Sequence, residues 1–230
     1  MTTVLRLGLP AYGYPGTGLW ERLSASQAGA LVIMDPADGP GTTIDPRYSE
    51  VIATALNDGM HVLGYITTDY GRRSAAAMQE EVERYREWYR VSGIFLDQAP
   101  ASISSSAAIS HAVTRIRASH LSLAINPGQP DIDPHDVAIA DHVVNFEGPY
   151  SGYRRCRFPD WVREVADASF WHLIYEVPDA HAMREVAAMA IRAHAGVVYI
   201  TDATMPNPWE RLPRYWQQEQ VLLARARRDL

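Results

Sequence analysis

The sequence contains no lysine; all 21 of its basic residues are arginine. That absence excludes a Schiff-base lysine and the lysine of a phosphate-binding P-loop. Cysteine occurs once, at Cys156, so no disulfide can form within the chain and nothing marks an oxidising compartment. Cys156 lies in "RRCR", where Arg154, Arg155 and Arg157 could lower its pKa, but a lone cysteine is read first as a small packing side chain. The eight histidines form no H-x-H, H-E-x-x-H or Cys/His ligand spacing, so neither a metal nor another cofactor is expected. No apolar run reaches the roughly 18 residues of a membrane span. The opening "MTTVLRLGLPAYGYPG" has no long apolar region followed by a small-residue cleavage site. As it stands the chain is expected to be cytoplasmic, or secreted if a leader has been trimmed from it. A basic face is also missing. The net charge of -6 argues against a phosphate-backbone binder, so neither nucleic acid nor membrane is an expected partner. A neutral or cationic small molecule or oligosaccharide would not be repelled. Oligomeric state is left open.

What is present is a rhythm. Eight short apolar segments recur: "VLRLGLP", "ALVIMD", "HVLGYIT", "GIFLD", "LSLAIN", "HVVNFE", "FWHLIYE" and "GVVYITD". Each is followed by a polar or Gly/Pro loop and most by a helical pattern. In "SAAAMQEEVERYREWYRVS", Ser74 can cap a helix, and Met78, Val82, Tyr85 and Tyr89 share one face. "MREVAAMAIRAHAG" ends with Gly196 where a helix C-cap belongs. Strands alternating with helices imply parallel βα units with right-handed crossovers. Eight such units in 230 residues predict an α/β fold, one (β/α)8 barrel spanning residues 1–230, with no linker to divide it.

In such a barrel the functional groups stand at the C-terminal ends of the strands. Here those ends carry Tyr12, Asp35, Thr67, Asp97, Asn126, Glu147, Tyr175 and Asp202. One strand ending in Asp is turn chemistry; eight polar ends around one rim make a pocket. Side-chain alternation places Gly93, Phe95 and Asp97 inward on the fourth strand. On the sixth it places Val143, Asn145 and Glu147 inward, with Val144 and Phe146 against the helices. Asp97 and Glu147 then converge on the barrel mouth as candidate catalytic carboxylates. Two carboxylates ringed by aromatic residues suit glycosidic bond cleavage, one protonating the leaving oxygen and the other acting as base, nucleophile or stabiliser. Tyr65, Tyr70, Arg72, Gln98, Tyr150 and Trp209 join the strand-end residues as candidate substrate contacts. Arg72 could equally pair with Asp69, and Trp209 could equally plug the top of the core.

Seven segments, "LPAYGYP", "IMDPADGPG", "VLGYITTDYGRR", "EWYRVSGIFLDQAP", "LAINPG", "VVNFEGPY" and "VVYITDATMPNPWERLP", together resemble the spherulation-specific family 4 (spherulin-4-like) proteins over residues 7–213. The resemblance implies a (β/α)8 barrel and a metal-independent glycoside hydrolase acting on galactosamine- or N-acetylgalactosamine-containing glycans. It also implies secretion, for which this sequence shows no signal. The family's Asp-Glu pair on strand four falls on Asp97 and Gln98, and its strand-six glutamate on Glu147. Gln98 departs from the pattern, because an amide can neither ionise nor deliver a proton. Two alternatives therefore stand beside hydrolysis: another acid/base reaction such as isomerisation, cyclisation or elimination in small-molecule biosynthesis, or a non-catalytic carbohydrate-binding barrel.

Overall fold

The computed structural model describes residues 5–23, 25–166 and 170–226. Eight parallel strands close into one barrel in sequence order: β1 (Arg6–Ala11), β2 (Leu31–Met34), β3 (His61–Thr67), β4 (Gly93–Asp97), β5 (Ser122–Ile125), β6 (His142–Pro149), β7 (Phe170–Tyr175) and β8 (Val197–Ile200). The seam pairs β1 with β8 through Arg6–Val197 and Leu7–Val198. Each segment expected to be a strand is one.

The helices are α1 (Pro46–Asn57), α2 (Ala75–Arg84), α3 (Ala107–Ala118), α4 (Pro134–Ile139), α5 (Tyr150–Tyr153), α6 (Ala180–Arg192) and α7 (Trp216–Ala226). Their starts are written locally. Asp45, Ser74, Ser106, Asp133 and Asp179 each turn a side-chain oxygen onto a first-turn backbone N–H. Pro46 and Pro134 sit in the first turns of α1 and α4, where a missing N–H costs nothing. Ser74 caps α2 as expected, and Met78, Val82, Tyr85 and Tyr89 are all buried. The spacing of that face holds although α2 passes into a π-helical turn at Tyr85–Tyr89. The exit of α6 differs from expectation. The left-handed residue is His194, at φ 65°, and not Gly196, because the helix ends two residues earlier than its pattern suggests.

The barrel interior is packed with side chains. Tyr65 stacks on Phe95 with centroids 6.4 Å apart, and Phe95 meets the edge of Trp171 at 5.7 Å. Trp171 reaches so far that a Cβ on Gly8 would lie 2.3 Å from its ring, so only glycine fits there. On the outside Gly64 plays the matching part beneath the ring of Tyr85.

One strand corrects the simple alternation. The register of β6 against β7 slips between Val144 and Phe146, leaving Asn145 as an extra residue. Val144 pairs with Trp171 inside the barrel, and Phe146 pairs with His172 and packs outward on Tyr153 with centroids 4.7 Å apart. Val143 and Val144 are therefore reversed relative to a strict period of two. The bulge restores Phe146 outward and Glu147 inward, which is how a β-bulge re-aims a side chain.

Candidate active site

A cavity of about 590 Å³ opens at the C-terminal ends of the strands. Its walls include Tyr12, Asp35, Tyr65, Asp97, Asn126, Glu147 and Trp209, which the sequence singled out, Phe95, which alternation placed inward, and Asp38, Leu173 and Met205–Pro208, which were not site candidates. Asp38 follows β2 in "DPADGPG", a turn-rich stretch that read only as loop.

The centre of the cavity is a chain of short hydrogen bonds. Asn126 donates from one nitrogen, Nδ2, to Asp97 Oδ1 at 2.7 Å and to Glu147 Oε2 at 2.7 Å. Those two carboxylate oxygens thus lie no further apart than twice 2.7 Å. Asp97 Oδ2 accepts from the Tyr65 hydroxyl at 2.9 Å. The Trp209 indole walls the cavity beside Glu147, and its Nε1–H is the one polar group it can offer there.

Burial acts on the two acids unequally. Burial, reinforced by the nearby charge of Asp97, pushes Glu147 from the ordinary carboxylate range up to about 7, against the bond from Asn126 and the influence of the neighbouring Trp209 indole. Burial also raises Asp97, but bonds from Tyr65, the Gln98 backbone and Asn126 oppose the rise. Near neutrality Glu147 holds a proton for much of the time while Asp97 is the better-supplied carboxylate. A third acid, Asp35, is pushed up to about 6 by burial, with Asp38 and Asp97 among the charges that add to it; the Gly39 N–H bonds its Oδ1 at 2.8 Å. Burial and the carboxylates of Asp97, Glu147 and Asp35 hold the Tyr12 hydroxyl well above its usual pKa, so it stays a donor. Its ring meets Tyr65 edge-on at 5.8 Å.

The remaining strand-end candidates are not on the cavity wall. Asp202 turns away: its side chain is buried between Arg211 and Arg214, with Oδ1 2.9 Å from Arg211 and Oδ2 closely paired with Arg214. It ties down the segment that carries Trp209. Arg72 forms an exposed pair with Asp69 at 2.5 Å. Tyr150 donates to Glu185 at 3.2 Å, and Tyr175 meets Trp209 edge-on at 5.9 Å. Thr67 donates to Gln98 Oε1 at 2.9 Å, and Tyr70 projects from the loop after β3. Trp209 itself is buried and contacts both Tyr175 and Tyr199, so it fills the top of the core and walls the cavity at once. Cys156 is half-buried outside this site, and burial raises its thiol pKa despite the flanking arginines. Among the described residues no group of three or more His, Cys, Asp or Glu side chains is placed to hold a metal ion, and no helix is long and apolar enough to cross a membrane.

The fold is a closed (β/α)8 barrel with two carboxylates at the C-terminal ends of its strands. The family model of spherulation-specific family 4 matches residues 6–222, and the chain belongs to that family. Spherulin-4 from Physarum polycephalum is 26% identical over 231 residues, covering 94% of this chain and 69% of that protein. Among solved structures, Aspergillus clavatus Sph3, crystallised in complex with GalNAc, superposes with a TM-score of 0.82 at 21% identity, covering 96% of this chain and 98% of that one. The active domain 2 of a thermostable Pyrococcus furiosus chitinase, complexed with chito-oligosaccharides, shares the barrel at a TM-score of 0.54 and 9% identity, covering 98% and 97% of the two chains.

Proposed function

We propose that this protein is a glycoside hydrolase acting on amino-sugar glycans that contain galactosamine or N-acetylgalactosamine. Glu147 serves as general acid and Asp97 as the ionised partner. The observation that carries this reading is the shared donor. Asn126 draws one oxygen of each carboxylate to no more than twice 2.7 Å from the other, which favours the close pairing of retaining glycosidases (~5–5.5 Å) over the wider one of inverting enzymes (~6.5–9.5 Å).

In that chemistry Glu147 transfers its proton to the glycosidic oxygen as the bond to the anomeric carbon breaks, and Asp97 bonds that carbon from the opposite face. Water then attacks the same carbon, giving its proton back to Glu147 and releasing Asp97. Asn126 occupies Oε2 of Glu147, so the transferable proton belongs on Oε1. Gln98 is not needed as an acid in this scheme, because the required pair lies on β4 and β6.

The lining supports an amino sugar. Asp35, Asp38, Asp97 and Glu147 face the cavity and no arginine lines it, so positive charge is favoured there and anionic sugars are disfavoured. Tyr12, Tyr65 and Trp209 supply aromatic surface for sugar rings. The likeness of the barrel to that of Sph3, which was crystallised with GalNAc, points the same way. The test is turnover of N-acetylgalactosamine and galactosamine oligosaccharides by the wild type and by Asp97→Asn and Glu147→Gln. Either variant retaining wild-type turnover would remove that residue from the mechanism. Tight binding with no cleavage by any form would favour the carbohydrate-binding alternative.

A further inference from the structure

The rim beside Asp97 contains the most unusual backbone in the structure. Asp69, Tyr70 and Gly71 follow one another in the left-handed region, at φ 48°, 52° and 85°. L-residues visit that region singly and avoid runs of it. Directly across lies Gln98, also left-handed at φ 50°. The two strained pieces are latched together. The Gln98 carbonyl accepts from the Tyr70 N–H at 2.8 Å and from the Thr68 hydroxyl at 2.7 Å. Gln98 Oε1 accepts from the Thr67 hydroxyl, which in turn accepts from the Asp69 N–H at 3.1 Å. Arg72 grips Asp69 through both carboxylate oxygens, at 2.5 and 3.1 Å.

These bonds hold the loop that carries Tyr70. Tyr70 keeps 61% of its surface exposed, the largest exposure of any big apolar side chain described. Its backbone is bonded to Gln98, the residue that follows the cavity carboxylate Asp97, so the loop that carries it runs beside the mouth. The Arg72 guanidinium lies 5.9 Å from the ring centroid and braces it. A strained backbone persists only where its surroundings over-determine it, and such strain collects at ligand clamps. An unstrained loop could place a tyrosine in solvent without this latch.

We propose that Tyr70 is the stacking platform of an outer subsite, where a pyranose ring of an extended glycan rests while the scissile bond lies between Asp97 and Glu147. Gln98 and Thr67 are positioning residues for that platform. The inference rests on the glycan reading of the cavity, and it adds a preference for long chains over short ones.

The test measures affinity for a dimer and an octamer of N-acetylgalactosamine by calorimetry, in the Glu147→Gln background so that nothing is consumed. Adding Tyr70→Ala should weaken octamer binding by several-fold to about tenfold, the range of one aromatic contact. Dimer binding should stay unchanged, and Tyr70→Phe should restore the octamer affinity. Equal loss for dimer and octamer, or loss for neither, overturns the subsite while leaving the glycan reading intact. If the parent background binds neither oligomer, both ideas fall together.

Discussion

Asp97 and Glu147, on strands two apart in the barrel, accept hydrogen bonds from the same atom, Nδ2 of Asn126 on the strand end between them. One amide therefore fixes the separation of the pair and helps decide which oxygen of Glu147 carries the proton. Asn126 is itself buried, so neither bond competes with bulk water.

Asn126→Ala is expected to lower kcat by about 10²-fold, the usual scale for one preorganised donor. KM should change less, since the amide is committed to the carboxylates. Asn126→Asp should be worse, because a third carboxylate between the two would raise both of their pKa values. Steady-state kinetics with circular dichroism as a folding control would check this. A folded Asn126→Ala enzyme with wild-type kcat would mean that the bridge has no part in turnover.

The pH profile should be bell-shaped, with its alkaline limb near pH 7. The proposed mechanism needs Glu147 protonated, and burial followed by the Asp97 charge holds its pKa at about 7. The acidic limb follows Asp97, which must be ionised and whose pKa lies above the ordinary aspartate value. Asp97→Asn should relieve Glu147 of a neighbouring charge and lower its pKa, which is readable by titration even in the inactive variant. An alkaline limb above pH 9 would exclude Glu147 as the acid.

How far the sequence reached can be seen strand by strand. All eight strands were legible, because each is a short apolar run bounded by turn residues, and five of the connections between them carry a helix with a side-chain cap. Asp97, Asn126 and Glu147 were legible because barrel strands present their last residues to the mouth. Asp202 failed for a reason of parity. Tyr199 pairs with the cavity residue Leu173, and three positions later the side chain faces the outside, where arginines only the fold brings near collect it. The bulge at Asn145 was invisible, since nothing local distinguishes an unpaired residue from its paired neighbours. Asp38 and Met205 reach the cavity on loops whose course is set by tertiary packing.

Asp202→Asn should destabilise the fold and act on the site only indirectly. Burial alone would raise the Asp202 pKa, but bonds from Arg211 and Arg214 overcome it and hold the carboxyl below its usual value. The folded pKa is depressed, so this stabilisation is present above the unfolded value of about 4 and is lost as pH falls through the folded one. The cost of the variant at pH 7 should be about 1–3 kcal/mol, because the arginines remain partly hydrated when their partner loses its charge. Denaturant unfolding at pH 7 and pH 3 should show the difference between variant and wild type shrinking in acid. A slackened loop around Trp209 should raise KM, and an unchanged KM would show that the Asp202 tie does not shape the cavity wall.

Glu219 offers a test with the opposite sign. It lies on α7, fully buried against β8, with Oε1 accepting the Ile200 N–H at 3.1 Å and Oε2 without a hydrogen-bond partner among the described residues. Burial pushes its pKa up to about 8, against the pull of the Ile200 bond. Below about pH 4.3, the ordinary glutamate value, both folded and unfolded forms are protonated and the residue is neutral to stability. Between that value and about 8 the unfolded chain ionises Glu219 and the folded chain does not, so stability falls as pH rises, by on the order of 1 kcal/mol per pH unit. Above about 8 both forms are ionised and the loss levels off. Glu219→Gln keeps the acceptor for Ile200 but cannot ionise, so its stability relative to wild type should improve steadily from pH 5 to pH 8 and then hold constant. Urea denaturation at pH 5, 6.5 and 8 measures that slope, and parallel stabilities at all three would mean that Glu219 is already charged in the folded protein.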